Sequence, residues 1–93
     1  MPIQLKNLDL SNVTLDKQYE KVIEENDECL SALRNLDEGI GDKKYLKEHY
    51  IEEMLDQFQA NISMASFYGI TAYDIMDYYN TKFLEKLKHR PRD

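Results

Sequence analysis

Leu15-Asp16-Lys17-Gln18-Tyr19-Glu20-Lys21-Val22-Ile23-Glu24-Glu25-Asn26-Asp27-Glu28-Cys29-Leu30-Ser31-Ala32-Leu33 is the stretch that decides the fold. Leu15, Tyr19, Val22, Ile23, Asn26, Cys29, Leu30, Leu33 and Leu36 recur at spacings of three and four, the period that draws one stripe along an α-helix. Thr14 stands just before the stripe, where a side-chain oxygen satisfies an amide orphaned in the first turn, and Asp16 suits the positive end of the helix dipole. The spacing predicts a helix from Thr14 to about Asp37.

Working outward, Gly39 and Gly41 stop that helix, and Asp42 is a good cap for a second one that meets no breaker until Gly69. Leu46, Tyr50, Ile51, Met54, Leu55, Phe58, Ile62 and Ala65 form its main face, and Ala60, Met64 and Phe67 a second apolar line. A helix apolar on two sides has neighbours on both, so its C-terminal half is the expected subunit interface. Thr71-Ala72-Tyr73-Asp74 has the form of a capping box with Asp in the acidic position, opening a third helix to about Lys88 with the stripe Ile75, Met76, Tyr79, Phe83 and Leu87. Residues 1–13 alternate weakly without a helical period, which predicts an extended arm or short turn ahead of a helical domain over 14–93.

A chain of 93 residues is one small domain that buries a limited share of its own surface. Its 42% hydrophobic and 32% charged residues, with 3 Gly and 2 Pro, fit a helical protein rather than a disordered or loop-rich one. The expected class is all-α: an antiparallel helical bundle completed by oligomerisation, as a dimer or tetramer. A net charge of −6 disfavours nonspecific binding to nucleic acid or an anionic membrane, but not a phosphorylated small molecule, because a bound divalent cation reverses the local field. Cys29 is the sole cysteine; it falls in the apolar run and reads as a small buried hydrophobe. No apolar stretch approaches the roughly 20 residues that cross a bilayer, and the first residues lack a signal-peptide core, so the expectation is cytoplasmic.

Two acidic motifs sit on the first two helices: Glu24-Glu25-Asn26-Asp27-Glu28 and Glu52-Glu53-Met54-Leu55-Asp56. Residues three apart differ by about 60° around a helix, so Glu25 and Glu28 project together, as do Glu53 and Asp56. Against the first stripe Glu25 lies on the flank, while Glu53 and Asp56 share the side of Ala60, Met64 and Phe67. If the two helices pack antiparallel, the motifs meet across the seam, and a hard divalent cation resolves their repulsion. Mg²⁺ suits an all-carboxylate set; no His or Cys joins it, which disfavours zinc. One such run is ordinarily a solvated helix face. Two in succession, with Ala32 rather than a cation four residues after Glu28 and Ala60 four after Asp56, argue for more.

These motifs resemble the E-E-x-x-E and E-E-x-x-D pair of the MazG-like all-α nucleoside triphosphate pyrophosphohydrolases. Phe67-Tyr68-Gly69-Ile70-Thr71 looks like that family's apolar helix ending in Gly-Ile, and the likeness runs from about residue 14 to 92. The resemblance implies Mg²⁺-dependent cleavage of an NTP or dNTP between its α and β phosphates, giving monophosphate and pyrophosphate. It places the ion on Glu25, Glu28, Glu53 and Asp56, with Glu24 or Glu52 accepting a proton from the attacking water. Asn80, Lys82, Lys86 and Arg90 correspond to the family's late polar and basic residues, and the lysines and arginine would stabilise the departing pyrophosphate. Here Asn80 precedes Lys82, whereas the family's Asn follows its Lys.

Asn61 is a candidate for a base or sugar contact, or equally an amide bridging helices. The tyrosines offer stacking surfaces, although Tyr at helical spacing is more often core or interface, and His49 and His89 read as surface residues. Two rivals stand beside the hydrolase: a noncatalytic helical adaptor whose acidic faces are merely solvated, and a related enzyme acting on dUTP or a phosphoribosyl-nucleotide.

Overall fold

The computed structural model describes residues 8–89, so the first seven residues of the expected arm, and Arg90 with the three residues after it, lie outside the described residues. Helix α1 spans Leu15–Glu38, α2 Lys43–Ser66, α3 Ala72–Tyr78 and α4 Leu84–His89, with a π-helical turn, Tyr79–Phe83, between the last two. No strand occurs among the described residues, and no described helix is long and apolar enough to cross a membrane. Ahead of α1 the expected turn is present: the Val13 amide bonds the Leu10 carbonyl at 3.0 Å.

The caps fall where the sequence places them. Thr14 accepts from the Lys17 amide, Asp42 from the Lys44 amide, and Thr71 and Asp74 form the reciprocal capping box. Gly39 closes α1 at φ 68°, a left-handed conformation that costs glycine nothing, and its amide bonds the Asn35 carbonyl.

Helices α1 and α2 form an antiparallel hairpin: Gln18 meets Ala60, and further along α1 Asn26 meets Gln57. This is the one extensive packing of separated helices among the described residues; α3, the π turn and α4 pack mainly on one another. The radius of gyration, 15.6 Å, exceeds the roughly 12 Å of a compact chain of this length.

The seam is not the apolar stripe that the periodicity predicts. On α1 the buried residues are Gln18, Glu25, Cys29 and Ala32, and Cys29 is the small buried hydrophobe expected. Ile23, Leu30 and Leu33 of the predicted stripe are exposed. On α2 the seam side carries Leu46, Glu53, Gln57 and Ala60, whereas Ile51, Met54, Leu55 and Phe58 of the predicted main face are exposed. Of the line Ala60, Met64 and Phe67, expected at a subunit interface, Ala60 is buried within the chain's own hairpin against Gln18, and Met64 and Phe67 are half-buried. Small residues at Ala32 and Ala60 let the helices approach closely, and of the predicted main face of α2 Leu46 and Ile62 are buried.

The third helix is also not continuous. Leu84 donates its amide to Tyr79, five residues back, which widens one turn. Within that turn, the Thr81 hydroxyl donates to the Asp77 carbonyl at 2.8 Å, a side-chain bond that competes with the regular ladder and bends helices.

Candidate metal centre

The hairpin aligns the two acidic motifs. Glu25 of α1 is only 5% exposed, and Glu53 opposite it on α2 is half-buried. Glu25, Glu53 and Asp56 present carboxylate oxygens that lie within 4.8 Å of one another. Glu24, Glu25 and Glu28 form a second group at the same spacing, so Glu25 belongs to both. All four residues assigned to the ion from sequence therefore gather about Glu25, with Asp56 and Glu28 at the exposed rim.

The electrostatics are those of an under-compensated anionic cluster. One oxygen of Glu25 and one of Glu53, both Oε2, are buried and lack a hydrogen-bond partner. A buried carboxylate oxygen without a donor has lost its hydration and gained nothing, at a cost of about 1–3 kcal/mol or more. The neighbouring Glu25 carboxylate, desolvation and then the Glu53 carboxylate push the pKa of Glu28 up from its ordinary value, because each disfavours a further negative charge. A divalent cation would satisfy the orphaned oxygens and remove the repulsion together. The donor set, carboxylate oxygens alone, fits Mg²⁺.

Lys21 supplies the one compensating charge in direct contact with Glu25 among the described ion pairs: its Nζ lies 2.8 Å from Glu25 Oε1 and 3.4 Å from Glu24 Oε1. The hydrogen bond to Glu25 raises the lysine's pKa, with the two carboxylates adding to it. Polar side chains frame the cluster along the seam. Buried Gln18 donates to the Ala60 carbonyl at 2.9 Å, and Gln57 donates to Asn26 Oδ1 at 2.6 Å. These bonds fix the rotation of each helix, and so the angle at which Glu25 and Glu53 enter the seam.

Other candidates stand apart. Glu24 is exposed and sits in the second carboxylate group, closer to the ligand set than the outer role expected of it; Glu52 is exposed and belongs to neither group. Asn61 is exposed and donates to the Gln57 carbonyl of its own helix. Asn80 lies in the π turn, Lys82 sits over the Tyr78 ring at 5.7 Å, and Lys86 is exposed on α4; none belongs to an element packed extensively on the hairpin. Arg90 lies outside the described residues.

Lys21 was legible in the sequence only by its spacing, four residues before Glu25, where helical side chains meet. Gln18 gave no such signal, since a lone polar Gln beside Lys17 reads as surface.

Compared with known protein families, curated proteins and solved structures, the chain matches none.

Proposed function

We propose that the protein is a Mg²⁺-dependent nucleoside triphosphate pyrophosphohydrolase, converting an NTP or dNTP to the monophosphate and pyrophosphate. The observation that carries this reading is the pair of buried, partnerless oxygens on Glu25 and Glu53, set on facing helices within one carboxylate cluster. The resemblance of the two acidic motifs supplies the reaction. Glu25, Glu28, Glu53 and Asp56 would hold the ion, which supplies neutralisation of phosphate charge and acidification of water. Glu24 accepts the proton of the attacking water, being exposed and adjacent to the ligands, with Glu52 as the alternative base. Lys82, Lys86 and Arg90 meet the charge of the leaving pyrophosphate.

The working form is a homo-oligomer. Ile23 and Leu30 lie nearly half a turn from Glu25 around α1 and Leu33 about a quarter-turn; on α2 Ile51, Leu55 and Phe58 lie nearly half a turn from Glu53 and Met54 about a quarter-turn, all of them exposed. Together these side chains expose on the order of 600 Å² of apolar surface, near the ~800 Å² that each partner gives to a standard interface. A second copy is the partner that every molecule of the protein has at hand. It would also bring another α4, with its lysines, to a hairpin that its own α4 does not pack upon.

Purified protein incubated with Mg²⁺ and a panel of nucleoside triphosphates, dUTP included, should release pyrophosphate. Glu53→Gln should reduce kcat/KM by about 100-fold or more, as expected when a charge-stabilising group is removed. No pyrophosphate from any nucleotide, with no Mg²⁺-dependent thermal shift, would favour the adaptor reading.

A further inference from the structure

The Glu25 carboxylate is divided between two roles. Lys21, one turn earlier on α1, places its Nζ 2.8 Å from Oε1, while Oε2 is buried with no partner. The lysine reaches inward from the surface: its side chain is 50% exposed and that of Glu25 only 7%. Glu24 accepts from the same ammonium at 3.4 Å, so two carboxylates anchor it.

From this geometry we infer that Lys21 sets the cation selectivity of the cluster by restricting Glu25 to one-oxygen coordination. The inference rests on the metal reading proposed above. An ion entering among Glu25, Glu53 and Asp56 meets a Glu25 whose Oε1 is already engaged and whose Oε2 is free. Mg²⁺ loses nothing by this, since it needs a small octahedral shell and takes carboxylates through single oxygens. Ca²⁺ is larger, accepts six to eight oxygens and readily takes both from one carboxylate, so two-oxygen coordination by Glu25 competes with Lys21 for Oε1. Lys21 is thus a positioning residue that acts through Glu25. Its positive charge also opposes any divalent cation, but it opposes two ions of equal charge at one site alike. The ratio of Ca²⁺ to Mg²⁺ affinity therefore isolates the geometric effect from the electrostatic one.

The test is isothermal titration of the wild type, Lys21→Met, Lys21→Gln and Lys21→Arg with MgCl₂ and with CaCl₂, without nucleotide. In both neutral variants Ca²⁺ affinity should rise relative to Mg²⁺ by about tenfold, the scale on which residues that orient a metal ligand act. Lys21→Arg, which still offers a donor to Oε1, should keep the wild-type ratio. Equal tightening of both cations would reduce Lys21 to a simple charge and overturn the inference, as would an unchanged ratio. A wild type that binds neither cation at any concentration would instead sink the metal reading itself, and this inference with it.

Discussion

The inner seam of the hairpin and the outer faces of the same two helices are built the opposite way round from an ordinary helical pair. Inside lie Gln18, Glu25, Cys29 and Ala32 against Leu46, Glu53, Gln57 and Ala60; outside, exposed, lie Ile23, Leu30, Leu33, Ile51, Met54, Leu55 and Phe58. Burying large apolar side chains is the main favourable term in folding, and burying carboxylates opposes it. A seam that buries a carboxylate among small residues contributes little apolar burial, and the larger apolar side chains of these two helices stand exposed on their outer faces.

This contrast predicts which substitutions matter. The largest effect is expected outside: Leu55→Asp together with Phe58→Asp should abolish self-association in sedimentation velocity and lower Tm by roughly 10 °C or more, since removing several kcal/mol of apolar burial from a domain this small shifts its melting that far. A double variant that stays assembled and melts like the wild type would show that these faces are not interfaces.

Inside, polar pairing should matter next. Gln18→Ala removes the buried cross-helix bond to the Ala60 carbonyl and leaves a small void in the seam, for an expected loss of about 0.5–1.5 kcal/mol in chemical denaturation. Alanine at exposed Glu20 is not expected to register beyond about 0.5 kcal/mol.

The smallest effect concerns pH. Because its neighbours raise the pKa of Glu28 above the ordinary 4.5, the folded state binds that proton more tightly than the unfolded state does. Stability of the metal-free protein should fall as pH rises from about 4.5 through the folded value, and Glu28→Gln should flatten that slope. A saturating divalent cation should flatten it too, by cancelling the repulsion. Thermal melts across pH 4 to 7, with and without Mg²⁺, would check both statements; a slope of opposite sign would refute them.

Much of the secondary structure was legible from particular residues. Thr14, Asp42 and the Thr71 to Asp74 box start the helices, and Gly39 and Gly69 stand at their ends, because capping is a local transaction between a side chain and amides within one turn. The π turn was not legible. The Thr81 hydroxyl's bond to the Asp77 carbonyl and the registers around it compete within small energies that composition does not display. The carboxylate cluster was legible as two motifs on facing helices, and Lys21 by its spacing. Its neighbours Gln18 and Gln57 were not, since their meaning depends on what stands across the seam.

The sequence by itself determined that this chain is helical, where its two long helices begin and end, and which acids would meet if those helices paired. Only the tertiary structure decided which faces meet. Periodicity reports that a helix has an apolar side but not which partner covers it, and in this protein the partner α1 and α2 find in one another is the acidic, small-residue side. Burial of Glu25, the two orphaned oxygens and the grip of Lys21 on a single carboxylate oxygen follow from that choice.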